Sequence, residues 1–255
     1  VSHSLIELLW PNYLRPVPAM SILAFTPRLH TLSEPTTIKS GAMVQSTEVD
    51  GTACLFKTCY DVDVAPIAIT DANIQLKTDR TELNLSFGIE SGVASADLNL
   101  DKIRLFLHDD QKIQIANTLY LCFFRYLKHF SVNVTFLDGT QECYQNLSKH
   151  SISPVGFADN ENLLPASDNV FSGYRLLQEY FQFQKKFLFL DVNGLKGILE
   201  QPDIESFSIT FSFSKFFVES VRKENFQLFC TPIVNLFEHD GSPIRVNNQR
   251  IEYFL

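Results

Sequence analysis

The chain of 255 residues is 45% apolar and carries 23 phenylalanines, so it can bury a sizeable core, and its length is compatible with one large or two smaller domains. Its net charge of −8, with no basic stripe, excludes a dominant nucleic-acid role, because phosphate binding is driven by clustered Lys and Arg. The densest basic spots, Lys185-Lys186 and Arg222-Lys223, are flanked by apolar or acidic residues and read as solvated surface.

In chain order, Ser4 and Glu7 have capping-box spacing, and the helix they predict ends by Pro11. Three prolines in PNYLRPVP then hold an extended connector, followed by the strand-like SILAF. From Cys54 the pattern is β: CLFKTCYDVDV, IAI and IQLKT, with turn residues expected at Asp71 to Asn73. RTELNLSFGIES alternates cleanly, Leu83, Leu85, Phe87 and Ile89 against polar neighbours, and IRLFLH repeats the period. Asp109 or Asp110 then caps a segment in which Ile113, Ala116, Tyr120, Phe123, Leu127 and Phe130 recur at three and four, predicting one helix over about 110–130. SVNVTF reads as a strand and LDGT as a tight turn.

The second half begins near Ser151, where SISPVGFADNENLLPASDN has prolines and little periodicity. This boundary divides the chain into β-rich units of 1–150 and 151–255. YRLLQEYF predicts a short helix at about 173–181, and KKFLFLDV a strand buried on both faces. In ESFSITFSFSKF, Phe207, Ile209, Phe211 and Phe213 alternate with hydroxyl residues. FQLFCTPIVNLF, a turn at HDGS and the strand-like IRV close the pattern. The fold class expected is α+β and β-dominated, with antiparallel sheets or sandwich-like domains and two or three packed helices. A start at Val1 and an apolar close on IEYFL lead us to expect an internal fragment of a longer polypeptide.

No recognised catalytic motif is present, neither a G-x-S-x-G elbow, H-E-x-x-H, a Walker loop nor G-x-G-x-x-G. Cys54, Cys59, Cys122, Cys143 and Cys230 are scattered without a CxxC pair and read as reduced, mostly buried thiols. The six histidines stand far apart, so no catalytic or metal-binding residue is assigned. N-x-S/T matches at Asn84, Asn133 and Asn146 carry little weight. No apolar run is long enough to span a bilayer, and no signal-peptide order opens the sequence, so no direct membrane insertion is expected. Asp61 and Asp63, two apart in a β segment, share a strand face and could act as the paired carboxylates of a glycosidase. Together with the aromatic residues between Tyr174 and Phe189 they define the alternative reading, a carbohydrate-binding or glycoside-cleaving module.

The order of segments is more specific. WPNYLRPVPAMSILAF, CLFKTCYDVDVAPIAI, LDKIRLFLH, SPVGFADNENLLP, GYRLLQEYFQFQKKFLFLDVNGL and FCTPIVNLFEHDGSPI run in the same order as in the TssF family, and the resemblance covers nearly the whole chain. PVGF with the acidic residues after it, RLLQEYF with KFLFLD, and CTPIVNLF carry it most strongly. The resemblance implies a non-enzymatic, cytoplasmic subunit of the type VI secretion baseplate wedge, binding no cofactor. It implies as partners TssG, with two TssF per TssG, then TssK, TssE and other baseplate and hub or spike proteins, in an assembly that docks the spike and recruits the sheath. On that reading Leu176, Leu177, Tyr180 and Phe181 pack the short helix onto the sheet containing Phe187 to Leu190. Rings left over, Tyr180 and Phe181 among them, form a docking patch for a partner.

Overall fold

The computed structural model describes residues 16–27, 35–90, 92–98, 100–165, 171–217 and 220–238. The helix expected from Ser4, the HDGS turn and the IRV strand lie outside them. The first part of the described chain forms β1 (Met20–Ala24), β2 (Thr36–Ile38), β3 (Met43–Gln45), β4 (Leu55–Thr58), β5 (Val62–Val64), β6 (Ile67–Leu76), β7 (Thr81–Ile89), β8 (Lys102–Leu107) and helix α1 (Ile113–Leu121). There follow β9 (Leu127–Phe136), β10 (Gln141–Ser148), β11 (Ile152–Pro154), helix α2 (Ser172–Gln182), β12 (Phe189–Asn193), β13 (Ile204–Phe213), β14 (Phe226–Gln227) and β15 (Cys230–Val234).

These strands make a five-stranded sheet in the order β10-β9-β13-β7-β6, two four-stranded sheets, β1-β15-β4-β3 and β11-β12-β8-β14, and the pair β2-β5. The architecture is therefore α+β and dominated by antiparallel sheets, as the patterning implies. β13 is the centre of the largest sheet because both its neighbours match its alternation. Phe207, Ile209, Phe211 and Phe213 are buried, as are Leu83, Leu85 and Phe87 on β7 and Phe130, Val132 and Val134 on β9. Phe87 and Phe207 are direct cross-strand partners whose rings stack with centroids 4.8 Å apart. Phe123 covers the far end of this face, meeting Phe211 and Phe213 edge-on at 5.0 and 5.4 Å. One continuous apolar core includes residues from both halves of the chain, from Cys59 to Val234.

Three expectations need correction. The helix expected over about 110–130 stops sooner: α1 passes into a π-helical turn at Cys122–Tyr126, and Leu127 already belongs to β9. Opposite it, Phe213 pairs with Leu127 but Ser212 with His129, so Lys128 is a bulged residue. That extra residue puts Leu127 and Phe130 on one face three positions apart, which mimics a helical period. Asp109 does organise the entry to the segment, its Oδ1 accepting from the amides of Gln111 and Lys112 at 3.0 and 2.8 Å, but α1 itself starts at Ile113 without a side-chain cap.

The turn expected at Asp71 to Asn73 is instead the middle of β6, a single ten-residue strand with a bulge between Ile69 and Asp71. β6 is an edge strand, so its polar side chains face water without breaking the ladder, and Asn73 donates to Asp71 across two residues at 3.1 Å. CLFKTCYDVDV is β as its pattern implies, divided between β4 and β5 in different sheets. The third correction concerns α2.

Candidate functional site

α2 is turned inside out. Its buried positions are Arg175 and Glu179, one helical turn apart, whereas Leu177 is 56%, Tyr180 43% and Phe181 81% exposed. Leu176 is half-buried and the Tyr180 ring lies 5.9 Å from that of Phe187, so these two keep part of the packing role expected for the four residues. The sheet strand beyond, β12, is buried from Phe189 to Val192, as the apolar run leading into it predicts. α2 meets this region through charge rather than through rings.

The reason lies in the residues following the helix. The chain turns through a 3₁₀ segment at Gln184–Phe187, which inserts Lys186 fully into the interior while Lys185 stays exposed. The reading of Lys185-Lys186 as a solvated pair holds only for the first. Lys186 Nζ donates to Glu179 Oε2, and both side chains are 0% exposed. Burial pushes the Lys186 ammonium below its usual range, and the neighbouring Glu179 opposes that shift. The other carboxylate oxygen of Glu179 accepts from the amides of Leu163 and Leu164 at 2.9 and 3.0 Å, so the whole group is satisfied.

A second carboxylate secures the same loop from its other end. Glu161 Oε2 accepts from the amides of Gly156 and Ala158 at 2.7 and 3.1 Å, and Arg175 reaches Asp159 at 3.1 Å. Beneath the loop, Arg104 on β8 makes a bidentate pair with Asp191 on β12 at 2.7 and 2.8 Å, its guanidinium 5.7 Å from the centre of the Tyr60 ring. Tyr60 in turn donates to the Lys186 carbonyl at 3.4 Å. PVGF, the acidic residues and the helix–strand block, which stood apart in the sequence, are thus one constellation.

Gly156 is required at this crossing. Its φ is +101°, and an added Cβ would lie 2.9 Å from the Lys186 carbonyl oxygen and 3.1 Å from the Tyr60 hydroxyl. Gly156→Ala is therefore expected to lower stability by about 3 kcal/mol, combining backbone strain with overpacking against atoms that cannot retreat. Urea unfolding of the variant beside the parent measures this, and an unchanged midpoint would show that the loop relaxes freely.

Each clamping residue precedes an aromatic residue, Gly156 the exposed Phe157, Glu179 the exposed Tyr180 and Lys186 the buried Phe187. Phe187 lies 5.0 Å from the Phe157 ring and 5.9 Å from the Tyr180 ring, centre to centre. With Tyr120 and Asn117 of α1 and Leu177 of α2, these rings line a groove of about 490 Å³.

The carboxylates of the alternative reading are elsewhere and already engaged. Asp61 accepts from Lys39 and from the amide of Ser40, both at 2.8 Å, and the Lys39 hydrogen bond holds its carboxyl below the usual range. Asp63 accepts from Thr37 across the β2–β5 ladder at 2.7 Å. The cavity beside them, about 30 Å³, has room for roughly one water molecule and not a sugar ring. Among the described residues, no group of three or more His, Cys, Asp or Glu side chains could hold a metal ion. All five cysteines are free; Cys59, Cys122 and Cys230 are buried, and burial pushes the thiols of Cys59 and Cys230 up to about 12. No described helix is long and apolar enough to cross a membrane.

The fold that carries this helix recurs in a chain of a secretion-machine baseplate. A chain in the solved TssK-TssF-TssG baseplate subcomplex of a type VI secretion system, determined by cryo-electron microscopy, superposes with a TM-score of 0.82 at 27% identity, over 98% of this chain and 47% of that one. The chain belongs to the type VI secretion system TssF family, whose model matches residues 1–255. The type VI secretion system component TssF1 of Pseudomonas aeruginosa is 28% identical over 99% of this chain and 43% of its own length. The chain thus spans less than half the length of either relative.

Glu179, Lys186 and Arg175 were not assigned a role from sequence. The available signal was the Arg175–Glu179 spacing of four, which places both charges on one helix face opposite Leu177 and Phe181.

Proposed function

We propose that this chain is the part of a TssF baseplate subunit that docks TssG, with the outward face of α2 as the docking surface and Tyr180 and Phe181 at its centre. On this reading it is a cytoplasmic, non-enzymatic wedge component, present in two copies per TssG. It works beside TssK and TssE in an assembly that seats the spike and hub and starts the sheath. The observation that carries the proposal is the orientation of α2. A helix that buries Arg175 and Glu179 while leaving Leu177, Tyr180 and Phe181 largely in water draws little of its own packing from those apolar side chains. Tyr and Phe are the residues that association surfaces favour.

The test is the double substitution Tyr180→Ala with Phe181→Ala in the full-length protein, co-expressed with TssG. Retention of TssG on affinity purification is expected to be lost, with the melting temperature within about 2 °C of the parent because neither ring is buried. Undiminished retention would remove the face from the interface. A melting temperature lower by many degrees would return the rings to a structural role.

A further inference from the structure

We propose that the π-helical turn at Cys122–Tyr126 and the residues that follow β13 form a second interaction surface, which takes an acidic segment of a neighbouring polypeptide chain. This surface stands independently of the role given to Tyr180 and Phe181.

It is assembled at one end of the five-stranded sheet. Phe213, the last residue of β13, pairs with Leu127, the first of β9, and the Ser214 amide donates to the Tyr126 carbonyl at 2.9 Å. That register brings Lys215 beside Arg125, and the bulged Lys128 extends the group; all three side chains are exposed. Phe216 turns inward, its ring centre 5.1 Å from that of Phe213, which leaves its neighbours Lys215 and Phe217 outside. Apolar rings flank the cations. Phe217 is 54% exposed and meets Tyr126 edge-on at 5.2 Å, while Phe124 is 37% exposed and tilts on Tyr120 at 4.4 Å.

The π-helical turn sets this display. Its wider winding keeps Cys122 and Phe123 in the core while Phe124 and Arg125 swing into water. Turns of this class are rare and concentrate at functional sites.

Charge selects the occupant. Arg80, Arg104, Arg175 and Arg222 each pair with a carboxylate, and Arg125 alone among the arginines of the described residues does not. Lys128 and Lys215 likewise meet no carboxylate among the described residues. In a chain with 29 acidic residues against 21 basic ones, these cations make a local positive site on a negative molecule. Carboxylates of a polypeptide answer it. The planar guanidinium of Arg125 offers parallel donors to one of them, the lysines attract others, and Phe124 and Phe217 cover the apolar side chains between. An anionic bilayer or a nucleic acid fits less well. Polybasic sites for lipid headgroups gather roughly four to eight cations, and the net charge of −8 repels an extended polyanion.

The full-length protein co-expressed with TssG and TssK provides the test. A benzophenone amino acid at Phe124 or at Phe217 is expected to form adducts with a segment of TssG or TssK that carries a pair of Asp or Glu residues, as mapped by mass spectrometry. Arg125→Glu with Lys215→Glu is expected to lower the adduct yield about tenfold and to leave the melting temperature unchanged, because both side chains are exposed. Lys in place of the mapped carboxylates is expected to restore the yield. Adducts on a segment without carboxylates, or on the protein's own chain, would overturn the inference, as would no adduct while the complex forms. Binding to phosphatidylserine vesicles or to duplex DNA that the charge reversal abolishes would also overturn it and give the surface to phosphate groups.

Discussion

Lys186→Met is expected to destabilise the protein by about 3–5 kcal/mol, among the largest effects of any single substitution in it. The cost comes less from the lost ion pair than from what stays behind, the fully buried Glu179 carboxylate without its counter-charge. Adding Glu179→Gln should recover most of that loss. The amide oxygen of Gln still accepts from Leu163 and Leu164, and no net charge is then buried. Glu179→Leu with Lys186→Met should recover much less, because two buried amides are orphaned at about 1–3 kcal/mol each. Denaturant midpoints of the three variants, read at constant slope, separate these terms. A single Lys186→Met variant as stable as the parent would contradict the assignment of a charged pair, and equal stability of the two double variants would mean that the loop amides find other acceptors.

Residues 1–150 expressed without the remainder are expected to show no cooperative thermal transition. β13 lies between β9 and β7, β12 and β14 flank β8, and β15 joins β1 to β4. Each of the three larger sheets therefore loses an interior or flanking strand and falls back to isolated pairs or a single strand, and among the described residues only the β2–β5 sheet is left whole. Leu83, Leu85, Phe87, Val132 and Val134 would then be left around the gap that β13 fills. Circular dichroism with heating is the measurement, and co-expression of 151–255 as a separate chain is expected to restore a single transition. A sharp melt of 1–150 alone would show that each half closes a core of its own.

What could be read from sequence followed from which side of an element is buried. β7 and β13 were legible because a period of two with one dry face admits a single interpretation, and β12 because a short unbroken apolar run fits a strand covered on both sides. The end of α1 was not, since a bulge at Lys128 spaces Leu127 and Phe130 as a helix would. β6 was divided because Asp and Asn mark turns in general, whereas an edge strand tolerates them on its wet side. The site was hidden for a further reason. Amphipathicity identifies the two sides of α2 but not which one faces inward, and the default places the rings inside. The inversion depends on Lys186, seven residues beyond Glu179, and on amides contributed by Leu163 and Leu164. No local window contains all of these groups.

The position of β13 has a mechanical consequence. Antiparallel hydrogen bonds run across the strands, so tension applied along β13 loads its rows of bonds to β7 and β9 together, in shear rather than one at a time. Seated between two partners over nearly its full length, it would have to slip past both at once. This chain should yield to pulling along that axis abruptly and at high force, and peel far more readily when drawn from the outer strands β6 or β10.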